Sequence, residues 1–154
     1  MIQRIQSLYL LIAVILIALC IAAPIGHFVP LGSGETLAMY NIRVAAPDGS
    51  IRPDYIVCPL LVVKIVLLWF TATNILRYRS RRRQAKRCTT LAMLHVVWYV
   101  LYIVFALTAR DLNDYTFRPG YAAAFPLISF ILTLLARRAI LKDDHLVRSV
   151  DRIR

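Results

Sequence analysis

Four apolar stretches of about 20 residues each, separated by polar and charged segments, dominate the chain. The first runs from Ile5 to about Gly26 and carries no charge after Arg4. The second, from Tyr55 to about Leu76, is interrupted by one charge, Lys64. The third, from Cys88 to Ala109, holds His95 as its ionisable group apart from Cys and Tyr side chains. The fourth runs from Tyr121 through Leu141, uncharged to Ala136, with Arg137 and Arg138 in its last turn. Stretches of this length match the hydrocarbon thickness of a bilayer, where a lone strand cannot satisfy its backbone, so each predicts a helix. The two arginines of the fourth would snorkel to the headgroups. The pattern predicts an all-α membrane protein, an antiparallel four-helix transmembrane bundle forming one four-span domain over residues 1–154.

The segments between the spans differ in kind. Residues 28–54 form the one sizeable outer loop. It opens on turn formers (Pro30, Gly32, Ser33, Gly34), continues as TLAMYNIRV with β-type alternation, turns at Pro47-Asp48-Gly49-Ser50 and resumes at Ile51. That order predicts a short β-hairpin, which is marginal alone and has to pack on the helices or on a partner. The block Arg77–Arg87, RYRSRRRQAKR, carries seven basic residues and no acidic one, and reads as a loop between spans two and three. The tail 142–154 is amphipathic: Leu146, Val150 and Ile153 share one helical face, Arg148 and Arg152 another, and Asp143 or Asp144 can cap its start.

Composition agrees with a lipid solvent. The chain is 60% apolar, with a mean hydropathy of +0.66, more than a self-buried soluble core needs. The formal net charge of +11 raises nucleic acid as a partner, but the cations gather at the ends of apolar runs instead of covering a soluble face. Nucleic-acid binding is therefore not expected. With the ends of the apolar runs assigned alternately to two sides, fourteen Lys and Arg residues fall on one side and four on the other, Lys64 being the nineteenth. The positive-inside rule then predicts both termini in the cytoplasm. A cleaved secretory signal ending at Ala22-Ala23 competes with this reading, but the apolar run is longer than a signal core and Pro24 would follow the cut directly.

The opening MIQRIQSLYLL and the closing HLVRSVDRIR carry a resemblance that extends over the whole chain. It resembles a family of small four-span inner-membrane proteins of Gram-negative bacteria, a domain of unknown function defined by sequence. The resemblance implies a multi-pass protein of the bacterial inner membrane and implies no chemistry.

Three residues form a candidate intramembrane polar site. Lys64 lies nine residues, about 14 Å, beyond Tyr55, near the middle of the hydrocarbon. A charge there costs roughly 2.5–3.5 kcal/mol on insertion scales, so it should face the bundle. No Asp or Glu lies in any span to neutralise it. An anion, quinone or proton site, a subunit anchor, or a lysine reaching an outer hydrated crevice would each use it. His95 sits among Trp98, Tyr99 and Tyr102, and Asn74 accompanies Thr71 and Thr73 on the second helix, all suited to helix association. The Trp and Tyr residues near span ends fit an interfacial belt. His27 and His145 fall on opposite sides and cannot join His95, so neither haem nor a metal is expected. Cys20, Cys58 and Cys88 have no metal or redox spacing and read as small buried residues.

Catalytic classes of this size lack their residues here. Thiol-oxidising quinone enzymes need paired outer cysteines, proton-coupled exporters an intramembrane carboxylate, and aspartyl peptidases two aspartates near the membrane. No phosphate loop or nucleophile motif is present either. The reading is a non-enzymatic accessory or assembly subunit without cofactor, acting through helix packing and a basic cytoplasmic surface. Its partners would be anionic lipids, with a protein partner or a second copy as further candidates. Arg79, Arg81, Arg82, Arg83, Arg148 and Arg152 are the candidate lipid or partner contacts, although topology alone accounts for the loop charges. A small transporter or channel component using Lys64 and His95 is the alternative, and a lipid- or quinone-binding protein a third.

Overall fold

The computed structural model of the protein describes residues 3–32, 35–41, 43–45, 51–53, 58–76, 81–109 and 115–151. The elements run α1 (Gln3–Ala22), β1 (Gly26–Pro30), β2 (Leu37–Met39), β3 (Arg43–Ala45), β4 (Ile51–Pro53), α2 (Cys58–Leu76), α3 (Arg81–Ala109), β5 (Tyr115–Pro119), a 3-10 turn (Tyr121–Ala124) and α4 (Phe125–Asp151). Four helices are long and apolar enough to cross a membrane. They pack as an antiparallel ring in which α1 and α3 each lie against both α2 and α4.

The seam that closes the ring steps by alternating three and four residues on every helix. On α2 it is Leu60, Lys64, Leu67, Thr71 and Asn74. On α1 it is Gln6, Leu10, Ala13, Ile17 and Cys20, and on α4 Ser129, Thr133, Ala136, Ile140 and Asp143. This is the heptad spacing of left-handed helix packing. Three core layers stack along it. Leu10, Ala85, Cys88, Ala136 and Ile140 form one end. Ile17, Leu67 and Leu91 form the middle, and Leu60, Trp98 and Tyr102 pack under the other end.

The segments expected as an outer hairpin build a larger sheet. Five antiparallel strands form one sheet in the order β4-β3-β2-β1-β5. The stretch TLAMYNIRV, expected as one strand, is divided: Ala38 pairs with Ala45 and Met39 with Val44, so the chain reverses between them. Asn41 sits in that reversal and donates its Nδ2–H to the carbonyl of Cys20 at 2.7 Å, tying the sheet to the end of α1. The expected turn at Pro47–Ser50 lies outside the described residues.

Three helix boundaries also depart from expectation. α1 ends at Ala22, not near Gly26, because Gly26 already pairs in β1, with Met39 on one side and Pro119 on the other. α3 starts at Arg81, not Cys88, so most of the supposed basic loop is helix. Residues 81–109 contain no Gly or Pro, and Arg, Lys, Gln and Ala are strong helix formers. α4 runs on unbroken through Leu141 to Asp151, so the expected separate tail at 142–154 is the continuation of the fourth helix as far as it is described. Asp143 and Asp144 accordingly cap nothing. They face α3, where Arg81 and Arg82 approach them at 3.1 and 3.8 Å.

Candidate functional site

The buried polar side chains separate into two clusters, one beneath the sheet and one at the basic end. Lys64 is fully buried, and its Nζ stands 3.9 Å from the centroid of the Trp98 ring on α3. The cation on α2 and the aromatic face on α3 therefore attract where water is excluded. Cys20 on α1 also lies within interaction range. By hydrogen-bond geometry Nζ has no partner among the described residues, and its full burial among them gives it no opening to a hydrated crevice.

Trp98 begins an aromatic ladder that climbs to the sheet. Its ring stacks on Tyr102 at 5.2 Å and meets Tyr99 edge-on at 5.1 Å. Tyr102 in turn meets Phe117 of β5, and Phe117 meets Phe28 of β1. The tyrosines end in hydrogen bonds: Tyr102 Oη donates to the Ile25 carbonyl and Tyr99 Oη to the Ala123 carbonyl, each at 2.7 Å. Trp98 and Tyr102 thus link the bundle to the sheet, and Tyr99 ties α3 to the 3-10 turn. Trp69 and Tyr121 are well exposed on the bundle surface.

His95 is also fully buried. Its Nδ1 lies 2.8 Å from the Leu91 carbonyl, one turn back on α3. A carbonyl only accepts, so Nδ1 carries the hydrogen and Nε2 of the neutral ring is a bare acceptor, unpartnered among the described residues. Trp98 Nε1 is unpartnered as well. His95 lies three residues before Trp98 on α3, one helical turn from the contact that Trp98 makes with Lys64.

Asn74 is not part of that group. Ten residues separate it from Lys64, about 15 Å along the helix, and it donates to the Cys88 Sγ at 3.3 Å. Its backbone carbonyl accepts from Gln84 Nε2 at 3.1 Å, which fastens α2 to the first turn of α3. Most other buried hydroxyls bond within their own helices, Thr71 to Leu67, Thr133 to Ser129 and Ser129 to Phe125, which satisfies them without a ligand. The cysteines are free thiols, Cys20 and Cys88 buried.

At the basic end a groove of about 390 Å³ opens between α3 and α4. Arg82, Arg83 and Lys86 form its α3 wall, and Arg137 and Leu141 its α4 wall. Thr89 also lines the groove and accepts the Arg137 Nε–H at 3.0 Å. Arg81, beside the groove, points to Asp143 instead; their 3.1 Å contact is a charge contact without hydrogen-bond alignment. Of the candidate contacts, Arg82 and Arg83 therefore line the groove and Arg81 braces α3 to α4. Arg79, Arg152 and the side chain of Arg148 lie outside the described residues. Lys86, Thr89 and Arg137 were not expected here. Reading 81–89 as a helix would have found two of them, since Arg82, Lys86 and Thr89 then share a face.

A family model described as Domain of unknown function (DUF4293) matches residues 2–153. No curated protein matches the chain.

Proposed function

The chain belongs to the DUF4293 family, and since that family carries no assigned activity, we propose a role from the physics of the molecule itself: a multi-pass inner-membrane protein of bacteria serving as a non-enzymatic accessory or assembly subunit. Its basic end and both termini would face the cytoplasm. One observation carries the membrane part. Fully buried Lys64, Thr71, Asn74, His95, Ser129 and Thr133 occupy the bundle seam, while apolar side chains such as Leu8, Ile15, Val62, Ile65, Val100 and Leu127 are at least half exposed. Water would penalise that outer surface and lipid would not. The fourteen-to-four division of Lys and Arg residues supports the orientation.

The subunit part rests on how the buried polar groups are used. Lys64 meets Trp98, Gln84 meets Asn74, and Asn41 and Tyr102 pin the sheet, so these groups brace the chain itself. What is left for other molecules is the lipid-facing surface, the sheet and the basic groove. Purification of the full chain in mild detergent, followed by mass spectrometry, tests this. A foreign subunit in fixed ratio is the expected result. A chain that always purifies alone overturns the subunit role.

A second reading, a small transporter or channel component, is favoured by three unpartnered polar atoms, Lys64 Nζ, His95 Nε2 and Trp98 Nε1, on residues linked by the Lys64–Trp98 contact and by one turn of α3. Liposome flux that vanishes in Lys64→Met would establish it in place of the first, and the absence of flux would dismiss it.

A further inference from the structure

The groove between α3 and α4 combines two chemistries in one line. Its upper part is cationic, with Arg82, Arg83 and Lys86 on one wall and Arg137 on the other, and no carboxylate among its lining residues. No acidic residue lies in the first turn of α3, so the positive end of that helix adds to the same field. Below Thr89 the same α3 face continues at helical spacing as Met93, Val96 and Val100, exposed by 63%, 48% and 54%. Opposite, the α4 face leads from Arg137 down past Leu134 to Phe130, both partly exposed. A cationic pocket that leads straight into an apolar track fits an amphiphile with an anionic head. The volume, about 390 Å³, lies within the small-ligand range and suits a headgroup, not a protein segment.

We propose that this groove is a binding site for one anionic phospholipid. Its phosphate would be held by Arg83, Lys86 and Arg137, and an acyl chain would lie along Met93, Val96 and Val100. Arginine forks bind phosphate oxygens in pairs, and the Thr89 bond fixes the Arg137 plane for that approach. The contacts of Arg81 and Arg82 with Asp143 and Asp144 hold the two walls together, so the groove is built before the lipid arrives. The proposal rests on the membrane reading above, with the basic end at an anionic leaflet.

The experiment is native mass spectrometry of the full chain in detergent, titrated with phosphatidylglycerol and, separately, with phosphatidylcholine. One saturable phosphatidylglycerol adduct, bound more tightly than phosphatidylcholine, is expected. Removing two groove charges, Arg83→Gln with Lys86→Gln, should weaken it by roughly 30-fold, and Lys86→Gln alone by about fivefold. The charge-matched control is Arg87→Gln with Arg138→Gln. Arg87 lies 5.9 Å over Phe70 on the α2 side, and neither residue lines the groove. This control should change binding by less than about threefold, because neither side chain lines the groove to make a direct phosphate hydrogen bond, the contact that carries the stronger part of the attraction. Equal losses in both double variants, equal binding of the two lipids, or displacement of the lipid by equimolar inorganic phosphate would each overturn the proposal. A detergent-dependent protein that shows none of this binding removes the groove site and leaves the membrane reading standing. A chain folded and soluble without detergent removes both.

Discussion

The Lys64 ammonium lies 3.9 Å from the centroid of the Trp98 ring, with both side chains fully buried. Through this contact α2 meets α3, and through Trp98, Tyr102 and Phe117 the same line reaches the sheet. The residue that looks most out of place in an apolar helix is thus the first member of a chain of contacts that ends in the cap.

A double-mutant cycle on Lys64 and Trp98 should show coupling. Lys64→Met keeps length and removes a desolvated charge, so thermal unfolding in detergent should be unchanged or later, by up to about 2 kcal/mol. Trp98→Leu alone leaves the ammonium without its aromatic face and lowers stability. Introduced into Lys64→Met, the same substitution should cost about 2 kcal/mol less. Strict additivity would show that the contact carries no energy.

Gly120 tests the junction of sheet and bundle. A Cβ there would stand 2.7 Å from the Pro24 carbonyl oxygen and 3.0 Å from the Ile25 carbonyl carbon, both backbone atoms that cannot swing aside. Gly120→Ala should cost about 1–3 kcal/mol and weaken the Gly120 N–H bond to Ile25, 2.9 Å long. Gly32→Ala meets nothing within 4 Å and should leave the melting temperature unchanged. Equal effects at both positions would refute the packing argument.

Tyr102→Phe removes one hydrogen bond and retains the ring stack. Because Ile25 O also accepts from Gly120, no carbonyl is orphaned, and the cost should be about 1 kcal/mol. Hydrogen exchange should accelerate at Ile25, whose N–H bonds to Met39 at 2.8 Å, more than at the middle-layer residues Leu67 and Leu91.

The proposed orientation predicts opposite labelling of the two ends. In a chain with its native cysteines replaced, Gly32→Cys should react with a membrane-impermeant thiol reagent on intact cells, and Arg83→Cys only after lysis. Both positions are exposed, so accessibility does not bias the comparison. The reverse pattern would invert the topology.

Much of the bundle was legible because its signals are local. Apolar length, the single charge at Lys64 and the cations at run ends each need one segment and a knowledge of how lipid treats backbone and charge. The cost of a charge in lipid also set Lys64 toward the bundle. That argument could not name a partner, since an aromatic 34 positions away is one of many able to face Lys64.

The chain alone therefore determined four helices of bilayer length, a charge-dense end and its family. Tertiary structure decided the cap, the helix ends and the groove. β1 joins β2 of its own loop and β5 from the far side of α3, and such non-local ladders leave little trace in either strand. Phe117 could lie over β1 only because Gly26 has no Cβ, which would come within 2.4 Å of its ring. Where α3 and α4 run past the apolar spans, Arg81 and Arg82 meet Asp143 and Asp144 across the gap. A contact between two helices is a property of their packing, and neither helix's sequence states it.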